Sequence, residues 1–231
     1  MFNIFALLPL IRRLIAFSTL MLAGFTDYQS REVDDKVWII GSLIIAPLLL
    51  LEFLSETIQL VLYAVSIITI LLVAILALKF KLVGEADIIA LIFISFAEPP
   101  SLRNILTLVP PATIVILAGI LSMGYIAYNV YYNWRNRATF PERTPLYLKI
   151  IAYMTMRMIT SREYEEKRYM YTPANPLDPS FITKMNQSME TPTTEKFWAV
   201  VLLPYVTLLA IAFLIYIVLY YSYTFTFFSK G

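Results

Sequence analysis

The sequence predicts an all-α integral membrane protein of about six transmembrane helices, with a small cytoplasmic insertion between the fifth and the sixth. Three observations predict it. Of 231 residues, 59% are hydrophobic and 15% charged, and the mean hydropathy of +0.72 suits a lipid solvent. Residues 58–78 carry no charge, over a length that at about 1.5 Å per residue crosses roughly 30 Å of hydrocarbon. Residues 197–228 are likewise uncharged and have length to spare for tilt.

Apolar blocks set against charged breaks give spans near 4–26, 37–54, 58–80, 87–97, 105–132 and 197–228. These divide the chain into a membrane domain over 1–132, a cytoplasmic insertion over 133–196 and a last transmembrane helix in 197–231. The first span holds Arg12 and Arg13, which are expected to snorkel toward one interface. It does not read as a secretory signal, because residues 2–11 are already apolar and no small-residue cleavage site follows. The fourth span is short and is stopped by Glu98, Pro99 and Pro100. It must thin the bilayer locally or lie sheltered among other helices.

Within the insertion, residues 146–159 are apolar with scattered basic residues, the pattern of a helix lying on a membrane. Residues 169–171 suit a short strand, and the proline-rich run that follows Thr172 reads as extended loop. With the N-terminus outside, fourteen of the eighteen Lys and Arg residues fall in the inside connections. Arg12, Arg13, Arg103 and Lys230 remain outside.

The chain has no cysteine and no histidine. Disulfides, zinc clusters, Ser-His and Cys-His dyads and the paired-histidine zinc site are therefore absent together. Hydrolytic chemistry would have to rest on carboxylates, lysines, hydroxyls or a carboxylate-bound hard cation. The net charge of +2 is distributed as in a membrane protein, and no nucleic-acid partner is expected.

Under this topology two charged patches share the cytoplasmic side. One leaves the first span through Asp27, Arg31, Asp34, Asp35 and Lys36; the other joins the third and fourth spans through Lys79, Lys81, Gly84, Glu85, Ala86 and Asp87. Two aspartates 60 residues apart in sequence can thus meet at one membrane depth. An aspartic protease needs that arrangement: one carboxyl holds a proton and polarises the scissile carbonyl while the other, as general base, activates water, with no cofactor.

Each residue also has a plainer role. Asp87 can cap the fourth helix, and Gly84 can end the third in a left-handed conformation. Asp27 can be a solvated loop residue, although a carboxylate at a helix C-terminus meets the negative end of the macrodipole. Asp34 and Asp35 are alternative partners for Asp87. Arg31 and Lys81 read as inside-positive anchors that can tune the aspartates. Glu52 and Glu56 fall on the other side, as inert turn residues.

Asp27 followed by Arg31, Glu32 and Val33, and Gly84-Glu85-Ala86-Asp87 opening a helix, resemble the type IV prepilin peptidases, above all their archaeal branch of class III signal peptidases that process preflagellins. The family's second aspartate ends a Gly-x-Gly-Asp motif, and Ala86 stands here in place of the second glycine. The resemblance covers mainly the first ~100 residues. It implies Asp27 and Asp87 as the catalytic pair, with Gly84 shaping the loop that lets substrate backbone approach. It also implies pilin-like or flagellin-like precursors as substrates, and no cofactor. Bacterial members also methylate the new N-terminus, commonly through a cysteine-bearing cytoplasmic domain; without one, peptidase activity alone is expected. A small-solute or ion transporter, with the aspartates as ion or proton sites, is the alternative. A non-enzymatic anchor protein is a further one.

Overall fold

The computed structural model describes residues 7–55, 58–79, 84–102, 105–142, 144–177 and 195–228. It is mostly helical. Among the described residues, five helices are long and apolar enough to cross a membrane: α1 (Leu8–Ser30), α2 (Asp35–Leu54), α3 (Leu60–Lys79), α5 (Pro110–Arg135) and α8 (Tyr205–Phe228). Between α3 and α5 lies α4 (Glu85–Ala97), whose 13 residues extend only about 20 Å. The six apolar helices expected from sequence are thus five long ones and one short one. The chain divides into two compact units, 1–119 with 204–231, and 120–203.

In the first unit α1 is the central helix, packed most closely against α8 and α2, while α4 touches α1, α2, α3 and α8. Small residues make this possible, since without a hydrophobic drive between helices in lipid, association rests on close backbone approach. Ala16, Ala23, Ala90, Ala97, Ala210 and Ala212 are fully buried. At Gly24 an added Cβ would stand 3.0 Å from the Thr207 Cα, and at Gly41 one would stand 2.5 Å from the Thr19 Cγ2. These two glycines set the α1–α8 and α1–α2 separations. The outward faces of α2 and α3, such as Ile40, Leu43, Val61, Ile68 and Leu72, remain exposed and apolar, as lipid-facing surface is.

The helix ends follow from local chemistry. Asp34 caps α2, accepting the Lys36 N–H at 2.9 Å. Arg31 ends α1 in the left-handed conformation, φ 61°, with its N–H donating to the Asp27 carbonyl at 3.0 Å. Pro99 and Pro100 follow the end of α4.

Arg12 and Arg13 do not snorkel. Both are buried in the first unit, where Arg12 pairs with Glu52 at 2.7 Å and Glu98 at 3.1 Å, and Arg13 pairs with Glu98 at 2.6 Å. Arg12 also donates to the Ala97 carbonyl. Tyr216 donates its hydroxyl to Glu98 at 3.2 Å, and the Tyr220 ring lies 3.7 Å from the Arg13 guanidinium carbon. Two positive and two negative charges thus neutralise one another, which is how ionisable groups survive away from water. Glu52 is accordingly a buried ion-pair partner and not an inert turn residue; Glu56 lies outside the described residues.

The second unit contains the later half of α5, α6 (Leu146–Thr155), β1 (Met156–Thr160), α7 (Ser161–Glu166), β2 (Tyr171–Pro173) and β3 (Lys196–Val201). Its antiparallel sheet has the order β1-β3-β2, with Met156 opposite Val200 and Tyr171 opposite Val201. The central strand is buried on both faces. Trp198 and Val200 pack with Leu148, Ala152 and Met156, whereas Phe197, Ala199 and Val201 pack with Ile159 and Tyr171. Sequence periodicity cannot separate such a strand from the start of a buried helix, so residues 196–201 form β3 and the last span begins only at Tyr205. For the same reason the helix expected over 146–159 stops at Thr155 and continues as β1. The strand expected at 169–171 starts at Tyr171, after a 3₁₀ turn over Arg168–Met170.

The outer edge of β1 is closed by α5. Asn133 donates its side-chain N–H to the Met156 carbonyl at 2.7 Å and accepts the Met158 N–H at 3.3 Å, and Asn129 donates to the Met154 carbonyl at 3.0 Å. Arg157, counted in sequence among the inside-positive residues, is buried: its Nε donates to the Asn129 side-chain oxygen at 2.7 Å, and the rings of Tyr125, Tyr128 and Tyr132 surround its guanidinium at 4.8–5.5 Å. Burial, then the nearby Glu163, push the Tyr171 hydroxyl up to about 12, so at neutral pH it remains a donor to Glu163.

Candidate functional site: two aspartates at three helix ends

Asp27 occupies the last turn of α1, and its side chain is buried against the first turn of α8. Its Oδ2 accepts the Thr207 N–H at 3.3 Å and lies 3.5 Å from the Thr207 hydroxyl. That hydroxyl also donates to the Gly24 carbonyl at 2.7 Å. Gly24 and Asp27 stand three residues apart on one face of α1. The missing side chain at Gly24 therefore lets α8 come close enough for its first-turn N–H groups to reach the Asp27 carboxylate. The negative macrodipole end of α1 is offset by the positive end of α8. Arg31 adds a full charge: in its left-handed cap the chain turns back, and Nη1 lies 3.9 Å from Asp27 Oδ1.

Asp87 is the third residue of α4, and its Oδ2 accepts the Gly84 N–H at 3.1 Å. It is thus a helix-capping group, folded back on the start of its own helix. The left-handed conformation open to Gly84 as one reading of the sequence is not adopted; at φ −72° and ψ 159° it is the extended residue preceding α4, open to any side chain by conformation alone. Its restriction is spatial, since a Cβ there would lie 3.2 Å from Asp87 Oδ2. Glu85 is exposed and Ala86 half-buried beside it.

Arg12 and Arg13 hold Glu98 at the far end of α4, so α1 and α4 run antiparallel and carry Asp27 and Asp87 at their other ends. Tyr205 is the first residue of α8, in the same turn as Thr207. One unit of the fold therefore brings together Asp27, Arg31, Gly84 and Asp87 from the sequence-derived set and adds Tyr205 and Thr207. Asp34 is the α2 cap and Asp35 its first residue, both exposed. Lys81 lies outside the described residues. Among the described residues, no group of three acidic side chains is placed to hold a metal ion.

No family model and no curated protein matches the chain.

Sequence reasoning missed Thr207 and Tyr205, because the last helix reads as uniformly apolar and its polar residues carry no spacing signal. The short separation of Gly24 from Asp27 was the available clue, a small residue one turn before a carboxylate.

Proposed function

We propose that this protein is a membrane-embedded aspartic endopeptidase whose catalytic pair is Asp27 and Asp87. The observation that carries the reading is the placement of two carboxylates from separate segments in one unit, in the last turn of α1 and the first turn of the neighbouring α4, at the ends of helices in an apolar bundle. Two carboxylates that close to within a few ångströms around a substrate share one proton. Asp27, which accepts from Thr207 and faces Arg31, is the member that carries the charge and takes a proton from the attacking water. Asp87 holds the proton and donates it to the scissile carbonyl oxygen as the tetrahedral centre forms. The proton taken by Asp27 then passes to the leaving amine nitrogen, the C–N bond breaks, and one hydroxyl of the former tetrahedral centre returns its proton to Asp87, leaving a carboxylic acid product.

By the resemblance of the Asp27 and Gly84–Asp87 segments to prepilin and preflagellin peptidases, the substrate is a precursor with a short basic leader followed directly by an apolar helix. A helix keeps its carbonyls hydrogen-bonded and covered, so the bond to be cut lies in extended chain just before the apolar segment. The exposed acidic residues Glu32, Asp34, Asp35 and Glu85 suit a basic leader. We place cleavage at the cytoplasmic boundary of the cell membrane, without methylation of the product.

The transporter alternative gains from the buried charges at Arg12, Arg13, Glu52 and Glu98, because intramembrane ionisable groups often mark ion paths. Their pairing with one another in a neutral cluster favours a structural role instead. The direct test is co-expression with a pilin-like precursor and detection of leader removal by gel mobility. Asp27→Asn and Asp87→Asn are each expected to abolish processing at unchanged protein abundance, since an amide of similar volume at position 27 cannot take a proton from water and one at position 87 cannot give an acidic proton to the carbonyl oxygen. Processing retained in either variant removes that residue from the pair.

A further inference from the structure

We propose that the outer face of α6 is a lipid-binding surface, by which the 120–203 unit lies against the bilayer. This inference does not depend on the proteolytic reading. On α6 the residues Leu146, Ile150 and Met154 recur every fourth position and Tyr147 lies beside them, forming one stripe. All four are exposed, at 74%, 53%, 37% and 58%. The opposite face, Leu148 and Ala152, is already buried in the unit's own core against Trp198 and Val200. An amphipathic helix packed on a soluble core would show polar residues outward. α6 is apolar on both faces, so its outer stripe needs a second apolar environment.

The chain on either side of α6 says which environment. α5 is one of the five helices suited to a bilayer, and its exposed face within this unit runs through Ile120, Met123 and Ala127 to Tyr131 and Trp134. Tyr131 and Trp134 lie one turn apart with ring centroids 6.4 Å from each other. Exposed aromatics ending an apolar stripe are the mark of the headgroup layer, which sets the membrane boundary near the end of α5. Ten residues later α6 begins, and its last carbonyls are tied back to α5: Asn129 donates to Met154 at 3.0 Å, and Asn133 donates to Tyr153 at 3.2 Å. The outer stripe of α6 is thereby fastened to the stretch of α5 that ends in aromatic residues. A bilayer is the apolar phase continuous with that stretch, whereas residues 178–194 of the same chain are largely polar and unsuited to cover it.

The test uses the full chain, which has no native cysteine, in vesicles of phosphatidylcholine and phosphatidylglycerol. Nitroxides are attached singly at Leu146→Cys, Ile150→Cys and Met154→Cys, with Glu142→Cys and Glu165→Cys as water-facing references. Collision with oxygen, which partitions into lipid, is compared with collision with a nickel chelate, which stays in water. The three α6 labels are expected to give an oxygen-to-chelate ratio several-fold above the references. Ratios equal to the references mean a water-exposed face and overturn the proposal. Labels shielded from both colliders mean that a second copy, another protein or another segment of this chain covers the face, and overturn it equally. Because all three positions are exposed, each label reports independently.

Discussion

Gly84 and Asp87 show how a spacing acquires its meaning from one contact. The glycine has an ordinary backbone conformation, so its role is to leave room for the carboxylate that folds back on its N–H. Gly84→Ala is expected to push that carboxylate aside by a few tenths of an ångström. On the proposed mechanism this lowers precursor cleavage about tenfold at unchanged abundance, because catalytic groups tolerate little displacement. Wild-type cleavage rates in purified Gly84→Ala would refute this account of the glycine. Thr207 is the corresponding residue for Asp27. Thr207→Val keeps the N–H that donates to Asp27 but removes the hydroxyl and with it the bond to the Gly24 carbonyl. The expected outcome is a lower kcat with KM unchanged and about 1 kcal/mol less stability, both restored in Thr207→Ser. A loss in stability alone, with kcat intact, would make Thr207 a helix clasp and nothing more.

At the scale of elements, α4 is too short to be held by lipid at both ends, and the buried charge cluster supplies what the bilayer does not. Arg12 and Arg13 on α1 grip the carbonyl of Ala97 and the carboxylate of Glu98 just where α4 ends. The C-terminal end of the helix that carries Asp87 is thereby fixed to the helix that carries Asp27. Removing one member of such a cluster leaves a charge buried without its partner, which is where its main cost arises. Glu98→Gln is expected to destabilise the protein by about 3–5 kcal/mol, seen as a lowered unfolding midpoint in detergent. Glu52→Gln should cost less, because Arg12 keeps Glu98 and the Ala97 carbonyl. Equal effects of the two substitutions would contradict the central place given to Glu98.

Across the whole molecule, the five long apolar helices and short α4 make a multi-pass membrane protein, and the basic residues set its expected orientation. Cysteines introduced at Ser55, after α2, and at Asn175, after β2, are expected to label from opposite sides, with position 175 cytoplasmic. Labelling of both from the same side would overturn the topology. The chain leaves the 120–203 unit at Pro204 and enters α8 at once, so the first turn of α8, which touches Asp27, is covalently joined to the sheet through only three residues. Strand β3 and helix α8 thus form one apolar run in sequence while serving two different units.

By itself the sequence determined the membrane setting, the order of the apolar helices and the two segments that hold Asp27 and Asp87, because these depend on composition, on length against bilayer thickness and on local motif spacing. Its limits lay where long-range partners decide. Arg12 and Arg13 are indistinguishable from snorkelling residues until Glu52 and Glu98 are placed beside them. Phe197–Val201 reads as helix until β1 and β2 are found on either side of it. Thr207 is one hydroxyl in an apolar helix until Gly24 lets it reach Asp27. Only the tertiary structure decided these, since the energy of a buried charge, a central strand or a close helix crossing resides in contacts between segments far apart in the chain.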